Sequence, residues 1–178
     1  MEVKHIVSTL PRKAAFKCRA LGQLEGIVTH HFAGNISIED AAKLHIQKWG
    51  KGISYHFVID FDGTVYRCND LDAISYHCGG HNTKYLGIAL RGNWDKEMPP
   101  YAMLEALNDL IITLRRVMGG LPVYCHSDFR PTACPGGCLR AYLKEKYPSP
   151  APLKVRLSKF GRLWHKWFGK DKDHPLID

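Results

Sequence analysis

This chain of 178 residues contains no run of about 18 apolar residues, the length at which a membrane-spanning helix becomes possible. Its opening, Met1-Glu2-Val3-Lys4-His5, lacks the basic start and apolar stretch of a secretory signal. Synthesis and folding in a reducing cytoplasm are therefore expected. In that compartment the six cysteines (18, 68, 78, 125, 134 and 138) read as thiols or metal ligands rather than a disulfide frame. Acidic residues are missing from one stretch altogether. Between Leu153 and Lys170 there are six Lys/Arg and no Asp or Glu. Removing those six from the formal net charge of +8 leaves about +2 for the rest of the chain. The basicity belongs to the tail.

What is present suits one globular domain, since 45% of the residues are hydrophobic. One composition break occurs, at Tyr147-Pro148-Ser149-Pro150-Ala151-Pro152, where closely spaced prolines stop a helix and form a stiff spacer. The expected division is a domain over residues 1–147, a linker over 148–152 and a basic amphipathic tail over 153–178. Upstream of the break, strand and helix patterns alternate. Residues 27–30 read as a short buried strand. Ser37 with Asp40 is a capping-box start, and Ile38, Ala41, Ala42, His45, Ile46 and Trp49 follow at helical spacing. Residues 54–60 alternate as a strand with Tyr55, Phe57 and Ile59 on one face, and Asp62-Gly63 turns it into a second strand over 64–67. Residues 86–91 form another strand. A long helix runs from Pro99-Pro100 to Met118, with Leu104, Leu107, Ile111, Leu114 and Met118 as its core stripe and Gly119 as its stop. A short strand over 121–125 and a helix over 139–146 complete the pattern. The expected fold is α/β: a single domain with a central mixed β-sheet flanked by a few helices, plus a C-terminal amphipathic helix.

The loop from Cys125 to Gly137 carries the most chemistry. It sets an imidazole, a hydroxyl and a thiol in one stretch where Pro and Gly exclude regular structure. Zinc takes such nitrogen and sulfur donors. Two ligands from one loop, His126 and Cys134, need a third from elsewhere, and His30-His31 closes the apolar run Gly26-Ile27-Val28-Thr29. Successive strand side chains point to opposite faces, so only one of that pair can face the site. A plainer reading makes both of them polar or core histidines. Another makes a closed structural site from Cys125, His126, Cys134 and Cys138, although sequence neighbours rarely ligate one ion well. Cys18, Cys68, Cys78 and Cys138 are most simply small buried residues.

Five motifs follow one another in a familiar order: Thr29-His30-His31-Phe32-Ala33, Ser54-Tyr55-His56-Phe57, Asp62-Gly63-Thr64-Val65, the stretch from His81 to Leu90, and His126-x7-Cys134-Pro135-Gly136. Over roughly residues 24–146 the chain resembles the zinc-dependent N-acetylmuramoyl-L-alanine amidases, the group that contains phage lysis amidases and animal peptidoglycan-recognition proteins. The resemblance implies a zinc ion (Zn2+) on His30, His126 and Cys134 with its fourth position open to water. It also implies a monomer that cleaves the amide between N-acetylmuramic acid and L-alanine in peptidoglycan, acting on the cell wall in the periplasm. Tyr55 and Thr132 fall where the family has its catalytic polar pair. Some phage members carry Lys in place of Thr132, and a neutral hydroxyl stabilises a developing oxyanion less than an ammonium does. Tyr55 read alone is a half-buried strand aromatic. His77 is expected to line the groove, His56 to face away from Tyr55, and His81 to start a loop. Asn93 and Trp94 are candidate contacts to sugar or peptide, with Trp94 equally able to be a core cover. The use implied is phage or prophage lysis. The alternatives are a recognition protein that binds peptidoglycan without cutting it and an exported antibacterial amidase. Non-catalytic relatives typically lack the Cys ligand, and Cys134 is present here.

In the tail, Leu153, Leu157, Phe160, Leu163, Trp164, Trp167 and Phe168 share one helical face, opposite Lys154, Lys159, Arg162, His165, Lys166 and Lys170. This reads as an interfacial helix attracted to anionic membrane or lipopolysaccharide through residues 153–170, at about 1 kcal/mol per Lys/Arg. It resembles the cationic tails of some endolysins of phages with Gram-negative hosts. A helix packed on the domain is the plainer reading. Strict segregation of the two faces argues against nucleic acid as the partner.

Overall fold

A computed structural model describes residues 3–148. The tail expected over 153–178, and the linker beyond Pro148, lie outside those residues. Six strands form one sheet in the order β1-β4-β3-β5-β2-β6: β1 Val3–His5, β2 Gly26–His31, β3 Phe57–Ile59, β4 Val65–Arg67, β5 Tyr85–Leu90 and β6 Val123–Cys125. Every pairing is parallel except β3 with β4, the hairpin turned by Asp62-Gly63. There Gly63 takes φ +83, and Asp62 Oδ1 accepts the Thr64 N–H at 2.9 Å. The mixed α/β sheet expected from the sequence is the one observed.

β2 and β5 are buried at every position because helices cover both faces of the sheet. On one face lie α2 Tyr101–Met118 and α3 Gly137–Lys146, packed with Ile27, Phe57, Leu86, Ile88 and Leu90. On the other, α1 Ile38–Trp49 sets Ile38, Ala41 and Ala42 against Ile53, Val58 and Cys68. Strand parity follows from this. Ile27 and Leu86 are in register and face α2, so Val28, His30, Gly87 and Ala89 face the other way.

Helix ends follow local chemistry. Ser37 Oγ accepts the Asp40 N–H at 3.0 Å, while its hydroxyl donates to the Asp40 carboxylate at 2.7 Å. α1 and α2 both stop at left-handed glycines, Gly50 and Gly119. Along α2 the buried stripe is Met103, Ala106, Leu107, Leu110, Ile111 and Leu114. Leu104 and Met118, expected in it, sit half-buried at its margins. Only the first two turns of α1 lie on the sheet. His45 and Ile46 are half-buried, and Trp49 is 38% exposed at the overhanging end.

Two expectations change. The strand expected over 54–60 begins at Phe57, because Asn69 Nδ2 donates to both Ile53 O and Tyr55 O at 2.7 Å. A side chain takes the carbonyls that a ladder would have used. β1 went unmarked because its three residues, paired in parallel with β4, keep Lys4 and His5 exposed and show no alternation.

Candidate active site

β2 and β6 are parallel neighbours in register at Thr29 and Cys125. The residues that follow, His30 and His126, therefore emerge side by side at the C-terminal ends of their strands, with ring centroids 4.6 Å apart. The loop after β6 brings Cys134 to them, and its Sγ stands 3.6 Å from His30 Nδ1. One ligating atom from each of the three lies within 4.8 Å of the others. A small ion can draw such atoms together, since zinc binds nitrogen and sulfur at about 2.0–2.3 Å. His126 Nε2 is buried without a hydrogen-bond partner among the described residues. A buried ring nitrogen left in that state is costly unless something ligates it. The donor set fits zinc.

The loop is built for that placement. Asp128 Oδ2 accepts the Cys125 N–H at 2.9 Å, Ser127 N–H donates to Cys134 O at 3.1 Å, and Arg140 Nη2 donates to Ala133 O at 3.0 Å. Gly136, at φ +100, lies directly on the Trp94 carbonyl, where any Cβ would collide. The Pro-Gly-Gly that ends the motif is there for steric reasons.

Hydrogen bonds set the tautomer of His30. His77 Nε2 lies 3.0 Å from the Tyr85 carbonyl, which can only accept, so His77 carries its proton there. His77 Nδ1 then accepts, at 3.1 Å, from His30 Nε2–H. His30 Nδ1 is left as a lone pair beside Cys134, the arrangement that orients a metal-ligating imidazole. Burial first, and then repulsion from His77 and His126 were they to take up protons as well, hold His30 well below the usual range, so it is neutral at pH 7. Burial and then Arg130 lower His126 as well. Burial pushes the Cys134 thiol up to about 12, so binding a cation there must expel its proton.

Tyr55 sits beside these donors, its ring 5.2 Å from that of His30, wedged between Phe32 and His45. Burial, with a smaller contribution from Cys134, raises its phenol, which stays a hydrogen-bond donor. Thr132 Oγ1 accepts the Cys134 N–H at 3.3 Å, leaving its own proton to point elsewhere. Both residues line the cavity of about 540 Å³ that holds the three candidate ligands.

Comparison with known proteins decides the family, because residues 20–137 match the N-acetylmuramoyl-L-alanine amidases. The chain belongs to that family. The amidase is 30% identical over 140 residues to the endolysin of Enterobacteria phage T3, covering 73% of this chain and 91% of that one. It is 33% identical over 109 residues to Peptidoglycan-recognition protein LB of Drosophila melanogaster, covering 59% of this chain and 47% of that one. In structure it is similar to the N-acetylmuramoyl-L-alanine amidase LysC from Clostridium intestinale URNW, with a TM-score of 0.72 and 27% identity over 82% of this chain and 97% of that one. Hydrolysis of the N-acetylmuramoyl-L-alanine amide of peptidoglycan is this chain's activity too.

Other candidates in the amidase divide between cavity and core. His31 borders the cavity, but strand parity turns its ring to the α2 side, where its Nδ1 accepts the Trp94 N–H at 3.2 Å. His77 lines the cavity, but both its ring nitrogens are engaged by His30 and Tyr85. Trp94 is a core cover: it is 6% exposed, and its ring packs on Phe61. Asn93, exposed, turns its Oδ1 to the Asp95 N–H and is not on the cavity wall. His56 is fully buried, donating from Nε2 to Ala73 O and accepting the Gly87 N–H at Nδ1. His81 lies in a turn with its ring 4.5 Å from that of Phe129. The closed four-ligand site does not form, for Cys125 is in the core and Cys138 Sγ is directed at the Asp95 carbonyl, 3.8 Å away. Sequence reasoning passed over Arg130, Lys48 and Trp49, which line the cavity. Arg130 could have been marked by its place inside the motif, and Trp49 by being the last aromatic of an overhanging helix.

Proposed function

We propose that this amidase works as a zinc hydrolase, with His30, His126 and Cys134 holding the ion, Tyr55 and Thr132 acting on the scissile amide, and a phage or prophage lysis role in the periplasm. The observation that supports the reading is the convergence of three donors, with His30 Nδ1 left free by the bond to His77 and His126 Nε2 buried without a hydrogen-bond partner among the described residues. When bound, zinc supplies a Lewis acid and a water acidified to a pKa near 7. In hydrolysis, hydroxide adds to the lactyl carbonyl carbon, the C–N bond breaks, and the L-alanine nitrogen leaves with a proton as a free amine. The Tyr55 phenol, held protonated by burial, donates to the carbonyl oxygen as it gains charge. Thr132, with its oxygen already occupied by the Cys134 N–H, directs its hydroxyl proton toward the same oxygen. The substrate-binding roles expected for Asn93 and Trp94 are not retained, given their positions.

A receptor that binds peptidoglycan without cutting it is disfavoured by the complete donor set. The deciding experiment measures free L-alanine amino groups released from purified sacculi, together with bound zinc, for wild type and Cys134→Ser. About one zinc per chain with chelator-sensitive release is expected of wild type, and loss of both is expected of the variant. Stoichiometric zinc without release would sink the hydrolase. For residues 153–170, binding to anionic membrane or lipopolysaccharide is proposed, with 148–152 as the linker. A protein ending at Tyr147 should still digest sacculi but lose permeabilisation of intact Gram-negative cells. Equal action on intact cells would reject that role.

A further inference from the structure

The cavity holds more positive charge than the donors require. Arg130 and Lys48 both line it, and Asp95 is the one carboxylate among the described lining residues. Lys48 Nζ is already seated over the Trp49 ring, 4.9 Å from its centroid. Arg130 is exposed, and among the described residues its guanidinium has neither an ion pair nor a hydrogen bond. Its charge is felt by His126 and by Cys78. A cation beside a site suited to a dication is unfavourable unless an anion joins them. The loop nevertheless holds it there, two residues before Thr132 and four before Cys134.

We infer that Arg130 is a specificity-determining residue of the amidase, receiving a free carboxylate of the stem peptide on the leaving side of the scissile amide. The inference rests on the proposed hydrolytic reading and deepens it. Substrate chemistry selects the side. Around the scissile bond the sugar offers hydroxyl and N-acetyl groups, which are neutral. The peptide offers carboxylates, the first of them on its second residue, a glutamate linked through its side chain with its α-carboxylate left free. That group lies within two residues of the cleaved nitrogen, at most about 7 Å along the chain. Guanidinium is the side chain best shaped to take a carboxylate through two parallel N–H bonds. The same position in a stem whose glutamate is amidated presents a neutral group, and the charge-assisted pair is lost.

The two stems make the test. N-Acetylmuramoyl tripeptides that differ only in D-glutamate or D-isoglutamine at the second position are given to the zinc-loaded full chain, and kcat and KM are measured for each. Wild type should favour the glutamate stem by about fivefold to tenfold, mainly in KM, as a part-exposed charge-assisted pair allows. Arg130→Gln should bring that ratio close to one, and Arg130→Lys should restore part of it. Lys48→Gln removes an equal charge from the α1 side and should leave the ratio standing. Calorimetric binding of the two released tripeptides to the same proteins gives a readout independent of turnover. A wild type that handles both stems alike, an Arg130→Gln protein that keeps the preference, or a Lys48→Gln protein that loses it would each overturn the assignment. Preference in binding with no cleavage of either stem would uphold Arg130 and refute the hydrolytic reading instead.

Discussion

Gly87 offers a direct way to ask whether His77 governs the first candidate ligand. A Cβ added at Gly87 would stand 2.7 Å from His77 Cγ and 3.0 Å from its Cδ2 and Nδ1. Favourable contact begins near 3.5 Å, so Gly87→Ala must drive the ring back by about 0.8 Å. The ring has little freedom to comply. It is tied at Nε2 to Tyr85 O, at 3.0 Å, and at Nδ1 to His30 Nε2, at 3.1 Å. A retreat of that size along the second bond takes it beyond hydrogen-bonding distance. His30 then loses the acceptor that keeps its proton on Nε2 and its lone pair on Nδ1. The expected result is a zinc affinity lowered about 10- to 100-fold, the usual effect of losing a partner behind a metal-ligating histidine. The metal-free protein should also lose about 1–3 kcal/mol through overpacking. Competition against a chromophoric chelator measures the first quantity, and urea unfolding in excess chelator the second. In a His77→Ala background the added methyl meets no ring, so Gly87→Ala should change both quantities little. If Gly87→Ala destabilises the fold but leaves zinc affinity within about twofold, the tautomer argument fails.

Tyr55→Phe keeps the ring between Phe32 and His45 but removes the donor, so kcat should fall about 100- to 1000-fold with zinc stoichiometry unchanged; a normal kcat would remove Tyr55 from the chemistry. Because burial keeps the Cys134 thiol protonated up to about 12 while His30 and His126 are already neutral, zinc binding at pH 7.5 should release about one proton. Calorimetry in buffers of different ionisation enthalpy counts it, and a value near zero or near three contradicts the assigned states. Acid should weaken the metal-free fold. Burial lowers His45 to about 4 and holds His56 well below its usual range. Their stabilisation is complete above the unfolded value near 6.5 and is lost as pH falls toward the folded values, because the unfolded chain binds the extra protons. These two groups alone give a slope of up to about 2.7 kcal/mol per pH unit, to which the buried His30 and His77 add in the same direction, and a urea midpoint flat between pH 6.5 and 5 would falsify the neutral burial of these histidines.

Much of this was readable from residues alone, for identifiable reasons. Apolar runs at strand length, a Ser/Asp start and left-handed glycine stops are local signals, and β2, β5, α1 and α2 formed where those signals stood. Asn69 is what escaped. Nothing in its own neighbourhood announces that its amide will take the carbonyls of Ile53 and Tyr55, fourteen and more residues away, and so delay β3. Trp94 shows the same limit from the other side. An aromatic just past a strand is equally suited to a groove and to a core, and the choice fell to Phe61 and the close approach of Gly136, contacts that exist only in the fold. Arg130 stands inside the His126–Cys134 motif, but that its charge has no partner among the described residues shows only once the fold has placed its neighbours.

Strand parity turns the neighbours His30 and His31 into parts of one device. His30 faces the cavity and ends a chain of hydrogen bonds that starts at the Tyr85 carbonyl. His31, on the opposite face, accepts the Trp94 N–H. The Trp94 carbonyl in turn accepts the Cys138 N–H, and Gly136 rests on that same peptide. The loop carrying Cys134 is thus seated on a segment that His31 fixes, while His30 meets the thiol that the loop delivers. One strand positions two of the three candidate donors, His30 directly and Cys134 through the scaffold behind it. His31→Ala, which removes the acceptor of the Trp94 N–H, should therefore weaken zinc binding measured by chelator competition although its ring makes that bond away from the three candidate donors. The physical reason is that a three-donor site is only as well ordered as its least anchored loop.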